Sequence, residues 1–325
     1  MQHRQPEKPL PPYKAIQKNY IIHVSKRTQI QNIMHLILYA SAPEWNKSTL
    51  PAELFAGQRV PEHTWARYTL QEGSLKIREL SAQNDISAEH ELTLDNAILE
   101  LAPNSEYQLV QAGDDMRVQL DYLTDRAHYI QLRYGMTATH SEVVRAVEQH
   151  HIAPCKTLDM GAGQGRNALY LAMQGFDVTA VDTNPSGLAN IAQIAAEEQI
   201  PAQTQLYDIN QAALQENYGF IVSTVTFMFL ERDRVPHIIA DMQAHTESGG
   251  YNLIVCAMDT ADYPCPMPFS FTFNENELSD YYAGWELLEY REELGAMHAK
   301  DANGNPVQFK FVNMLARKPQ TQKAA

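Results

Sequence analysis

Thr157-Leu158-Asp159-Met160-Gly161-Ala162-Gly163-Gln164-Gly165 is the stretch from which the fold can be read. Thr157 to Met160 makes a short apolar strand, and glycines follow at alternate positions. Arg166 to Gln174 then has the pattern of a helix, with Gly175 where a C-terminal cap belongs. Phe176 to Val181 is a second apolar strand that ends at Asp182. Strand, glycine loop, helix and strand-end acid together form a nucleotide-binding unit, with ligands beyond the carboxyl ends of the strands. Glycines remove Cβ atoms where backbone must pass close to a ligand.

The spacing narrows the nucleotide. A lone Gly-x-Gly-x-x-Gly would favour a dinucleotide. Here Asp159 precedes glycines at 161, 163 and 165, the Asp-x-Gly-x-Gly-x-Gly spacing of S-adenosylmethionine (SAM)-dependent methyltransferases. SAM has no pyrophosphate to seat on a helix N-terminus. Its methionyl end instead offers an ammonium group, which needs a carboxylate and backbone carbonyls. Asp159, Gly161 and Gly163 are therefore expected to cradle that end, and Asp182 to hold the ribose. Arg166 would brace the loop, with Asn167 beside it as a further cofactor-binding candidate. Leu206-Tyr207-Asp208-Ile209 places an acid at the end of a third strand, so Asp208 and Ile209 are expected at the adenine. Phe220 to Val225 is a fourth strand, in which Thr224 would line the methyl end; the apolar loop Thr226 to Leu230 follows as a cover. The competing reading is a Rossmann-like domain for another nucleotide, or for none.

Upstream the rhythm differs. Residues 1–38 are a polar, Pro-rich extension without evident chemistry. Residues 39–121 are β-rich, with short alternating runs at Ala66–Leu70, Ser74–Leu80, His90–Leu94, Ala97–Leu101, Tyr107–Gln111 and Met116–Tyr122. Asp95-Asn96, Pro103-Asn104 and Gly113-Asp114-Asp115 separate several of them as turns, so a small sandwich or barrel is expected. From 122 to 318 strands and helices alternate, as in an α/β domain with a parallel sheet, and 319–325 is a tail.

Charge and cysteine content bound the function. A formal net charge of −14 repels phosphate backbones, which makes nucleic acid a poor substrate. Cys155, Cys256 and Cys265 show no CxxC spacing, which argues against a disulfide framework or a structural zinc site and favours a reducing cytoplasm. The apolar runs are too short to span a membrane.

A family is recognisable from the later segments. They are Arg166-Asn167-Ala168-Leu169-Tyr170-Leu171, Ser223 to Leu230, Gly249 to Val255, Met258 to Pro266, Asp301-Ala302-Asn303-Gly304-Asn305, and Asn313 to Lys318. Together they resemble the bacterial tellurite-resistance methyltransferases (TehB), over about residues 122–318. Tyr39 to Tyr122 resembles the cupin-like N-terminal domain of that family's longer members. The resemblance implies a class I methyltransferase fold with a Rossmann-like, seven-stranded sheet behind a small all-β domain. It implies SAM as cofactor and methyl transfer to tellurite, or to selenite, as small oxyanion substrates. In the family a histidine precedes the Asp-Ala-Asn-Gly-Asn turn, and arginines stand next to it and after it. Here His298 is present as the candidate catalytic residue, but Ala299 and Pro306 occupy the arginine positions. Lys300, Lys310 and Arg291 are candidate substitutes. The stretch from Tyr134 to Val143 would fold over the methionyl end, where Tyr134 or Thr137 could hydrogen-bond. The plain alternative there is a helix entry capped by Thr139 or Ser141.

Other residues read more simply. His150-His151 is expected at the surface, because adjacent side chains diverge and no third ligand follows. Cys265 is expected as a packed loop residue. The β domain offers only His63 and His90, with Tyr107 and Gln58 near positions where related domains place histidine, so no metal is expected. That domain is then a candidate for homodimer formation or regulation. Two further functional readings stay open: methylation of another small soft nucleophile such as a thiol, and a non-catalytic SAM-binding sensor.

Overall fold

The computed structural model describes residues 36–83, 85–300 and 304–320, the side chains of 297–300 excepted. They fall into two compact units that part between Arg133 and Tyr134. Most of the expected extension and tail lies outside the described residues.

The first unit is built from β1 (Ile37–Ser41), β2 (Trp45–Asn46), β3 (Gln58–Arg59), β4 (Trp65–Glu72), β5 (Leu75–Leu80), β6 (Ile86–Leu92), β7 (Ile98–Leu101), β8 (Glu106–Ala112) and β9 (Arg117–Thr124), followed by helix α1 (Arg126–Tyr134), which crosses the division. One sheet has the order β1-β9-β4-β7, with β2 also on β9, and the other the order β3-β8-β5-β6. Consecutive strands β4 and β5 lie in different sheets. Strict alternation puts Ala66, Tyr68 and Leu70 of β4 and Leu75 and Ile77 of β5 into the shared core. The Tyr68 hydroxyl donates to that of Tyr107 at 3.1 Å inside this core, and burial raises the pKa of both phenols. The change from strands to alternating strands and helices expected after Tyr122 falls near the end of β9, while α1 still belongs mainly to the first unit.

The second unit holds α2 (Ser141–Glu148), β10 (Lys156–Met160), α3 (Arg166–Met173), β11 (Asp177–Asp182), α4 (Pro185–Glu198), β12 (Ala202–Leu206), β13 (Tyr218–Thr224), α5 (Val235–Ala244), β14 (Thr246–Ala257), α6 (Glu277–Tyr281), β15 (Glu286–Lys300) and β16 (Pro306–Arg317). Its sheet has seven strands in the order β12-β11-β10-β13-β14-β16-β15. The pairs β12–β11, β11–β10, β10–β13 and β13–β14 are parallel, whereas β16 runs antiparallel to both β14 and β15. Every residue of β13 is buried, as a central parallel strand covered on both faces requires. Val235, Ile238, Ile239 and Met242 of α5 share one buried cluster with Leu158, Ile221 and Ile254 of the sheet. Helix α4 starts sharply: the Asn184 side chain accepts from the Ser186 and Gly187 N–H groups, and Pro185 opens the helix.

The chain leaves β10 toward β11 on one side and returns to β13 on the other. The crevice at the carboxyl ends of β10 and β13 is therefore the switch point where ligands bind in open α/β sheets.

Candidate active site

Asp159 lies at that switch point, next to the last residue of β10, and is 1% exposed. Neither carboxylate oxygen has a hydrogen-bond partner among the described residues. Burial pushes its pKa up to about 7, against the smaller opposing pull of the Arg166 charge and the Ala168 N–H. Arg166, the first residue of α3, is half-buried, and its guanidinium makes no hydrogen bond or ion pair with any described residue. Burial lowers its pKa, and the nearby Asp159 charge opposes that shift. Two uncommitted groups of opposite charge, one on each side of the glycine loop, suit a zwitterionic ligand end, because each would otherwise carry its desolvation cost unpaired.

The glycine loop has the geometry its spacing predicts. Gly161 has φ +79°, and a Cβ there would lie 2.3–2.8 Å from Thr226 side-chain atoms. Gly163 has φ +56°, and a Cβ there would meet nothing within 4 Å, so the space above this residue is open. The N–H groups of Gly161 and Ala162 both donate to the Val181 carbonyl, at 2.9 and 3.0 Å. Asp182 accepts from the Gly163 N–H at 2.8 Å and from the Asn184 N–H at 2.8 Å. An ionised carboxylate can accept about four hydrogen bonds, so capacity for a diol remains.

The other expected cofactor residues divide. Asp208 lies beyond β12, where its Oδ1 accepts from the Asn210 N–H and Nδ2 and starts a turn over Ile209–Gln211. Its Oδ2 has no hydrogen bond to a described residue. Ile209 is buried in the large core cluster. Thr224 ends β13, buried, with its hydroxyl accepting from Asn167 Nδ2 at 2.9 Å. Asn167 is itself buried, and its Oδ1 accepts from the His140 N–H at 3.1 Å. Its amide thus ties the segment before α2 to the end of β13. Thr137 is exposed. The Tyr134 hydroxyl donates to Glu198 at the far end of α4, roughly 20 Å along that helix from its N-terminus. His298 falls within the span of β15, but its side chain lies outside the described residues, as do those of Ala299 and Lys300.

Several residues take other places than their sequence setting suggests. The cap of α2 is His140, whose Nδ1 accepts from the Glu142 N–H; Thr139 instead donates to the Arg166 carbonyl. Burial, with the Arg166 charge, pushes the His140 pKa down to about 4. The sequence signal for this cap was weak, because histidine is not among the strong N-cap residues. Arg291 is held by Glu142, Glu289 and Glu293, and Lys310 pairs with Asp262 at 2.6 Å. Neither is a free cation for anion capture. His150 is partly buried and bonds Glu289, while His151 is exposed. Cys265 is partly buried against the core, and burial raises its thiol pKa. In the first unit His63 stacks on His128 with ring centroids 3.6 Å apart, and His90 pairs with Glu79 at 2.7 Å. Among the described residues no three His, Cys, Asp or Glu side chains are grouped to hold a metal. No described helix is long and apolar enough to cross a membrane.

Sheet order, switch-point carboxylate and glycine loop define a class I SAM-dependent methyltransferase. Residues 122–315 match the family model of tellurite resistance protein TehB, and residues 40–120 match the TehB-like domain. The chain belongs to the TehB family. It is 47% identical over 283 residues to the "Probable S-adenosyl-L-methionine-dependent methyltransferase TehB" of Haemophilus influenzae, covering 87% of this chain and 98% of the relative. A protein named "Hemagglutinin 1" from Eikenella corrodens is 54% identical over 244 residues, 75% of this chain and 81% of that one. The crystal structure of TehB from Haemophilus influenzae superimposes with a TM-score of 0.84 at 46% identity, over 88% of this chain and 99% of that one.

Proposed function

We propose that this methyltransferase transfers the SAM methyl group to tellurite, and to selenite as a chemical near neighbour. The observation that carries the reading is the match of the catalytic unit to tellurite resistance protein TehB. The unpaired Asp159 and Arg166 support the cofactor half of it.

SAM supplies a methyl group activated by a sulfonium. Asp159 takes the ammonium and Arg166 the carboxylate of the methionyl end, while Gly161 and Gly163 let the backbone approach. Asp182 accepts from the ribose hydroxyls with its remaining lone pairs. Asp208, through Oδ2, and Ile209 mark the adenine end. Thr224, steadied by Asn167, lines the methyl end. Thr137 and Tyr134 belong to the segment that closes over the amino-acid end, and Thr137 is the freer of the two. His298 orients the acceptor, a role that rests on the family resemblance. The protein's contribution is then position and electrostatics, since tellurium(IV) brings its own lone pair.

Ala299 and Pro306 stand where the family has arginine, and Arg291 and Lys310 are already paired. These features favour, as a second reading, a less charged soft nucleophile such as a thiol. The two-sheet β unit is read as cupin-like and as the seat of homodimer formation or of regulation. Unbridged cysteines fit a cytoplasmic setting.

Calorimetry with SAM followed by an acceptor screen tests the proposal. SAM binding and tellurite-dependent formation of S-adenosylhomocysteine are expected. Turnover of thiols with none of tellurite would overturn the choice of acceptor. Gly163→Arg, which fills the open space at a left-handed position, should abolish SAM binding; normal binding would contradict the assigned loop.

A further inference from the structure

Two loops flank the acceptor side of the crevice, one following β13 and the other following β14. Aromatic side chains of these loops and of β16 form a continuous run. Phe229 is 64% exposed, although Phe227, Met228 and Leu230 around it are buried. Its ring meets Phe269 edge-on at 5.7 Å and 87°. Phe269 meets Phe309 at 5.8 Å, and Phe309 stacks on Phe311 at 4.5 Å. Met267 and Cys265 pack against the same cluster. The turn that carries Phe229 packs on the glycine loop through Thr226, whose side-chain atoms would lie 2.3–2.8 Å from a Cβ at Gly161. The Phe229 N–H donates to the Thr226 carbonyl at 3.0 Å, and the Thr226 hydroxyl lies 3.2 Å from the Thr224 carbonyl and 3.4 Å from that of Gly161. Phe229, on the turn that leaves the carboxyl end of β13, is a large ring left in water and backed by a second ring, so it offers an aromatic face to a ligand entering there. Two cations on the neighbouring strands are neutralised in place: Lys310 by Asp262, and Arg291 by three glutamates.

We propose that Phe229, backed by Phe269, is an acceptor-contact surface, and that it suits an uncharged, alkylated selenium or tellurium atom. The activity it implies is conversion of a dialkyl chalcogenide to the trialkyl chalcogenonium cation. This rests on the reading that the acceptor element is a chalcogen. The step balances without another reagent. The chalcogen lone pair forms a bond to the methyl carbon as the carbon–sulfur bond breaks. The bonding pair returns to that sulfur, leaving a neutral thioether, and the positive charge passes to the chalcogen. No proton is released, so no base is required. An aromatic face favours both partners of this step: a polarisable, thioether-like atom before transfer and an onium cation after it.

The experiment uses the full chain with SAM and dimethyl selenide, following S-adenosylhomocysteine and trimethylselenonium by mass spectrometry. Turnover is expected. Phe229→Ala should raise KM for dimethyl selenide about three- to tenfold, with the SAM dissociation constant unchanged, whereas Phe229→Tyr retains the parent value. A second readout does not depend on turnover: saturation-transfer NMR should detect trimethylselenonium bound to the parent chain with S-adenosylhomocysteine, and less of it with Phe229→Ala. No trimethylselenonium formed, or equal KM values for parent and Phe229→Ala, overturns the proposal. Tellurite turnover with inert dimethyl selenide would leave the tellurite reading standing and remove this one. Dimethyl selenide turnover without tellurite turnover would do the reverse.

Discussion

Asp159→Asn should make the ligand-free protein more stable at alkaline pH while weakening SAM binding. Burial without a partner raises this carboxyl from 3.8 to about 7. That shift corresponds to a cost of about 4 kcal/mol when the group is ionised in the folded chain. Because the folded pKa lies above the unfolded one, the cost is absent below about pH 4, grows as pH rises toward 7, and is constant above. Asparagine removes the titration but buries a neutral amide, at about 1–3 kcal/mol. The net expectation is a gain of about 1–3 kcal/mol at pH 8 and no gain at about pH 4. With the ligand's ammonium on Asp159, as proposed, the ionised form is required and binding must expel the proton. At pH 7 about half a proton should be released per SAM bound, and affinity should fall about tenfold between pH 8 and pH 6. Thermal melts across this range, with calorimetry in buffers of different ionisation heat, measure both. Equal melting of parent and Asp159→Asn at pH 8, together with no proton release at pH 7, would show that Asp159 carries no unpaired charge.

Asn167→Ala removes hydrogen bonds to both the His140 backbone and the Thr224 hydroxyl; a loss of about 2–4 kcal/mol and a raised KM for SAM are expected, from melts and initial rates. Unchanged melting would show that this amide bridges nothing of consequence. His140 is held neutral, with its pKa lowered from 6.5 to about 4, so its contribution is present above pH 6.5 and is lost as pH falls toward 4. His140→Asn keeps a capping acceptor without titrating, and should flatten that acid slope by up to about 3 kcal/mol in pH-dependent melts.

The parts of this protein whose physics is local are legible in the residue order. Alternate glycines after an apolar strand demand left-handed backbone and close approach, and Gly161 and Gly163 adopt it. Alternation at Tyr68, Leu70, Leu75 and Ile77 set the inward faces of the β unit, because strand side chains repeat every second residue. Tertiary structure decided which groups are satisfied. Nothing near Asp159 in the sequence says that it is an orphan; that depends on β11 and β13 closing over it and on Arg166 staying unpaired. Asn167 reads as one more loop residue until folding brings residues 140 and 224 to its two ends. Arg291 reads as a candidate anion binder until Glu142, 149 positions away, reaches it from helix α2. Hydrogen bonds and ion pairs between distant segments carry no local spacing, so only the folded chain reveals which charges remain for a ligand.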